Sequence, residues 1–124
     1  IPAGDTKTNT LTELSSAASH ATDTIAMLQI MVKEIDRLMA HASTTPDQKT
    51  ALQKKRDAVG ADVAVLSQAQ GTLALASTAL QGAIEPEAIS QEISSALAKI
   101  LATQADIQHA NTLMIATLPL LKPE

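Results

Sequence analysis

Residues 11–42 read LTELSSAASHATDTIAMLQIMVKEIDRLMAHA. Small or apolar residues recur there at alternating steps of three and four, at Leu11, Leu14, Ala18, Ala21, Ile25, Leu28, Val32, Ile35, Met39 and Ala42. A heptad seam kept for more than four repeats predicts one long helix that lies along other helices. Thr10 before it and Glu13 three residues on form a capping-box pattern, which sets the expected helix at about 10–42.

Working outward, the next helix start is Thr45-Pro46-Asp47-Gln48. Thr45 is placed to cap, Pro46 occupies the first helical position, Asp47 meets the positive end of the dipole and Gln48 closes the box. A weaker seam follows through Leu52, Arg56, Val59, Val63, Leu66, Gln70, Leu73, Ser77, Leu80 and Ile84, and predicts a helix over 46–84. Glu85-Pro86-Glu87 ends it and opens a third, 86–118, with Ile89, Ile93, Leu97, Ile100, Ile107, Met114 and Leu118 on one broad face. Gly60, Gly71 and Gly82 recur every eleven residues on one side of the second helix. They read as tolerated small residues, as a face for close helix approach, or as a break near Gly71 that makes four helices of three.

The expected fold is therefore all-α: an elongated, antiparallel, up-down-up bundle of three long helices with coiled-coil-like packing, four if the second breaks. Short loops force antiparallel neighbours, and the rod is about 50 Å long. Residues 1–9, polar and carrying Pro2 and Gly4, read as a disordered or extended lead-in or a processed terminus. They lack the apolar core of a signal peptide. Residues 10–118 form one domain, and 119–124, with Pro119 and Pro123, a tail.

Composition narrows the function. Phe, Tyr, Trp and Cys are absent from the 124 residues, so the core is built from Ala, Leu, Ile, Val and Met, with no disulfide and no thiolate chemistry. A net charge of −4 and the lack of stacking aromatics argue against nucleic-acid binding. No run approaches the roughly eighteen apolar residues that read as a membrane span. His20, His41 and His109 are scattered, with no metal-ligand spacing, and no serine sits in a nucleophile motif. The expectation is a chain that is not an enzyme and holds no metal or cofactor.

Two regions remain as candidate sites. In the up-down-up arrangement Arg37, Leu38, Met39, His41, Lys49, Leu52, Lys54, Lys55 and Arg56 converge on one end of the rod. A basic tip with apolar wedges suits an anionic membrane surface or an acidic partner. Glu13, Asp23, Asp62, Glu85, Glu87 and Glu92 are expected towards the opposite end. Met27, Ile30 and Met31 extend helix one's apolar surface beyond its seam, as a contact face for a protein partner or a second copy, or as the lining for an apolar ligand. The composition, rich in Ala, Ser and Thr, resembles helical segments of secreted bacterial proteins and receptor ectodomain bundles, which implies a secreted or cell-envelope setting. The leading expectation is an interaction module of such a protein. Peripheral membrane docking on anionic phospholipids and an apolar-ligand carrier or sensor stand behind it.

Overall fold

The computed structural model describes residues 3–121 as three α-helices: α1 (Ala3–Met39), α2 (Pro46–Gly82) and α3 (Pro86–Leu121). At 1.5 Å per residue each is about 55 Å long. Cross-helix hydrogen bonds fix their directions. Going up α1, Lys7 reaches Ala83, Thr22 meets Gln70 and Asp36 meets Arg56, so α2 runs against α1. Residue 62 of α2 meets 109 of α3, and residues 65–72 share a groove with 99–106, so α3 runs back against α2 and parallel to α1. The second helix passes Gly71 unbroken, which settles three helices and not four.

The start of α2 follows its sequence. Thr45 Oγ1 accepts the Gln48 N–H at 3.1 Å and Gln48 Oε1 accepts the Thr45 N–H at 2.8 Å, with Pro46 leading and Asp47 in the first turn. The start of α1 does not. Instead of capping, the Thr10 hydroxyl donates to the Thr6 carbonyl at 2.8 Å, and the helix extends back to Ala3. Residues 3–9, expected as an extended lead-in, are helical because they have a docking point. Lys7 Nζ donates to the carbonyls of Gln81 (3.1 Å) and Ala83 (2.7 Å), at the negative end of α2 where a cation is favoured. Residues 1–2 and 122–124 lie outside the described residues.

Three other ends move. α1 stops at Met39, short of Ala42, because the Thr44 hydroxyl donates to Leu38 O at 2.6 Å and draws the chain into the turn. α2 stops at Gly82, and Ala83 adopts an extended conformation (φ −75°, ψ 125°) ahead of Pro86. That turns Ile84, read as the last seam residue, out to 82% exposure. At the far end α3 carries Pro119 within its last turn and continues to Leu121, so the helix takes in part of the expected tail.

Burial also shifts the seams sideways. In α1 the deepest row is Thr10, Leu14, Ala17, Ala21, Thr24, Leu28, Met31 and Ile35, while Leu11, Ala18, Ile25, Val32 and Met39 are half-buried beside it. In α3 the deepest row is Ala96, Ile100, Thr103, Ile107, Ala110, Met114 and Thr117, and Leu97 and Leu118 lie exposed. Four threonines thus occupy the core. Each donates its hydroxyl to the carbonyl four residues back, at 2.7–2.9 Å, so none is left unpaired. The core itself has two segments. Leu28, Ile35, Val59, Leu66 and Ile107 anchor the one towards loop 40–45, and Leu14, Leu73, Leu80 and Ile100 the one towards loop 83–85.

Gly60, Gly71 and Gly82 all face open space, and a Cβ at any of them meets nothing within 4 Å. They are therefore not a close-packing face within this chain. Each costs helix stability with no compensating contact in the bundle. Gly71→Ala is expected to stabilise the protein by about 0.5–1 kcal/mol, whereas Leu66→Ala, at a fully buried position, destabilises it by about 2–5 kcal/mol. Urea unfolding followed by circular dichroism reads both.

Candidate functional site

The end of the bundle at loop 40–45 brings together most of the expected basic residues. There the structure separates free charge from paired charge. Arg56 on α2 clasps Asp36 on α1 with both arms, Nε to Oδ1 at 2.6 Å and Nη2 to Oδ2 at 3.3 Å. On the same turn of α1, Arg37 Nε donates to Glu34 Oε2 at 3.1 Å. Hydrogen bonds from these guanidinium groups hold the Asp36 and Glu34 carboxyls below their ordinary values and raise both arginines. Lys33, Lys49, Lys54 and Lys55 form no ion pair among the described residues.

The apolar residues of that end are taken up by the core. Leu52 is buried, and Leu38 and Met39 pack half-buried against the same core segment. His41 orders the loop: its Nδ1 accepts the Ser43 N–H at 3.2 Å, with the Ser43 hydroxyl 2.7 Å away. What remains at the tip is four lysines around two guanidinium–carboxylate pairs, without an exposed wedge from Leu52.

Asp62 does not belong to the acidic end. It sits in the middle of α2, 8% exposed, on the row that faces α3, where His109 Nδ1 lies 3.1 Å from its Oδ2. A carboxylate at that depth needs a partner, and the exposed imidazole supplies it. The pairing is hidden in the sequence, where Asp62 groups with the charges of the acidic end. Its signal is its heptad register with Ala69 and Ala76, α2 positions turned towards α3. His109 is thereby tied to mid-bundle, His41 is in the loop, and His20 lines a groove beside Glu13 and Gln104. Among the described residues no cluster of His, Asp or Glu is placed to hold a metal.

The apolar strip of helix one divides. Met31 is buried in the core, while Met27 and Ile30 stand 55% and 66% exposed. The groove that joins Ala17 and His20 to Gln104 and Ile107 sets the α1–α3 register. Carried up the parallel helices, it brings Met27 and Ile30 level with Ile115 and Leu118 of α3, themselves 69% and 49% exposed. Four large apolar side chains therefore share the α1/α3 face. The α3 half of this face is not legible from periodicity, which puts Leu118 on the core side and leaves Ile115 on no face.

Two shallow grooves of about 190 Å³ flank α3, one against α1 and one against α2, and neither is enclosed. Between Asp62 and Glu85 α2 carries no charge, and it is the one described helix long and apolar enough to cross a membrane by length and composition. In the bundle its Leu66, Leu73 and Leu80 are buried. No protein-family model, no curated protein and no solved structure matches the chain.

The Asp36–Arg56 pair gives an acid dependence of defined sign. A carboxyl held low in the folded state adds stability above its unfolded value, about 3.9 for aspartate, and loses it as pH falls through the lower folded value. Asp36→Asn is therefore expected to lower the melting temperature slightly at neutral pH, with the difference from wild type vanishing at the acid end. The pair is exposed, so the effect is small. Thermal melts of both proteins between neutral and acid pH measure it.

Proposed function

We propose that the protein is a non-enzymatic helical-bundle interaction module that binds a protein partner through its α1/α3 face. The observation that carries this reading is the group of Met27, Ile30, Ile115 and Leu118, four large apolar side chains 49–69% exposed on two adjacent helices. Burial of such side chains is a main source of association energy, and contiguous exposed groups of them mark contact surfaces. A secreted or cell-envelope setting is part of the same proposal and rests on composition alone.

The basic end supports membrane docking less well. Leu52 is withdrawn into the core and both arginines carry carboxylates, which leaves lysines as the available contacts. The carrier reading has open grooves to draw on, and Met31 has gone to the core.

The test uses the protein as bait in cross-linking and affinity capture beside Met27→Lys/Ile30→Lys, which alters exposed positions. Proteins captured by wild type and lost with the double variant at unchanged helicity are the expected result. An identical capture pattern removes the face from the reading. In parallel, flotation with neutral and anionic vesicles is expected to recover no protein. Binding to anionic vesicles alone, lost on Lys54→Glu/Lys55→Glu, would replace the partner-binding module with a membrane-docking one.

A further inference from the structure

The exposed surface of α3 is unusual beyond its first two turns, which carry Glu87 and Glu92. From Ser94 to Leu120 no exposed position is Asp, Glu, Lys or Arg. Leu97, Leu101, Ile115 and Leu118 stand out from it, 40%, 66%, 69% and 49% exposed. Lys99 and Asp106, the charges of this part of the helix, are half-buried in the groove towards α2. A helix face of this length in contact with water ordinarily carries charge.

The order of residues on this face is symmetric. Leu101 and Ile115 stand seven residues either side of Gln108, and Leu97 and Leu118 stand eleven before and ten after it. Steps of seven and eleven return to nearly the same side of a helix, which aligns Leu97, Leu101 and Ile115 with Gln108, while the step of ten sets Leu118 about 80° to one side. Between the two apolar pairs lie the neutral amides Gln104, Gln108 and Asn111. A two-fold axis through Gln108 that sets α3 antiparallel to its own copy lays Leu101 against Ile115, Leu97 beside Leu118, and amide against amide. Such a self-complementary patch is what an isologous dimer requires.

The same axis suits the rest of the rod. The α1–α3 groove puts Ala17 level with Gln104, so Gln108 is level with Ala21, the midpoint of α1. Two copies related there overlap from end to end. Lys33, Lys49, Lys54 and Lys55 at one end then lie alongside the end of the other copy that holds Glu13, Glu85, Glu87 and Glu92 with Lys7. Opposite charges steer the rods into the antiparallel orientation and disfavour the parallel one.

We infer that the occupant of this face is a second copy of the chain, in a reversible antiparallel dimer built on α3 around Gln108. The inference rests on the reading of the α1/α3 face as a binding surface and names its partner. A stripe about 40 Å long and one helix wide lies at the small end of specific interfaces, which places the dissociation constant in the micromolar range or above.

Sedimentation equilibrium from about 10 μM to about 1 mM, a range chosen for such an interface, tests it. Wild type is expected to pass from monomer to dimer. Leu101→Glu and Ile115→Lys, each at an exposed position, are each expected to weaken the dimer at least about tenfold, because each sets a charge against an apolar side chain. The double variant Leu101→Glu/Ile115→Lys restores it, since each introduced carboxylate faces an introduced ammonium of the other copy, and added salt weakens the restored dimer. Circular dichroism confirms that the variants keep their helices. A wild type that stays monomeric overturns the dimer, and the capture experiment with Met27→Lys/Ile30→Lys still decides whether the face binds another protein. A dimer untouched by the single changes, or not recovered in the double variant, overturns the antiparallel α3 pairing.

Discussion

Four buried hydroxyls, each returned to its own helix, allow this bundle to have the core it has. Thr10, Thr24, Thr103 and Thr117 stand where an apolar residue would ordinarily be, and each satisfies its hydroxyl at the carbonyl one turn back. A threonine so bonded presents a surface close to that of valine to the next helix. Without that bond each would leave an unpaired polar group in the core, at about 1–3 kcal/mol. With it, threonine and alanine rows alternate with Leu, Ile and Met along the axis, and three helices pack without an aromatic ring. Small and aliphatic side chains fill the core where aromatic rings would otherwise supply bulk.

This also explains how far the sequence could be read. Periodicity found the three helices, since a heptad seam depends on spacing and spacing is visible in one chain. It misjudged how each helix is rotated. Choosing the largest apolar residues selects Leu97 and Leu118 for the core of α3, whereas the structure buries Ala96, Thr103, Ala110 and Thr117. The small residues form the smoother ridge, and packing favours the ridge that lets the helix axes close. Helix ends divided in a similar way. Thr45-Pro46-Asp47-Gln48 is a local signal and was legible. Thr10 and Glu13 offer a comparable pattern, but Lys7 reaches carbonyls more than seventy residues away and keeps the helix running.

The candidate sites were legible in composition and illegible in pairing. That basic residues gather around loop 40–45 follows from topology. That Arg56 is committed to Asp36 and Leu52 to the core depends on which helix faces meet. Asp62 and His109 show the same limit, since two residues on different helices became partners through register alone. Met27 and Ile30 survived as surface because they lie off every heptad row. Met31, one residue on, sits in the buried row and was lost to it.

The charge distribution then bears on function more directly than any single residue. Charges cluster on α1 and the first half of α2, while the later half of α2 and the exposed face of α3 carry almost none. On α2 that face is mostly glycine, alanine, serine and glutamine, from which Val65 and Leu75 stand out singly, 44% and 74% exposed. On α3 it presents leucine and isoleucine. Covering one such side chain contributes about 1–2 kcal/mol, and association costs at least about 4 kcal/mol before any net affinity appears. One residue cannot hold a partner on those terms; Leu97, Leu101, Ile115 and Leu118 acting together can, with little to spare. In the proposed dimer such a surface is suited to reversible contact, strong enough to pair two rods and weak enough to release them.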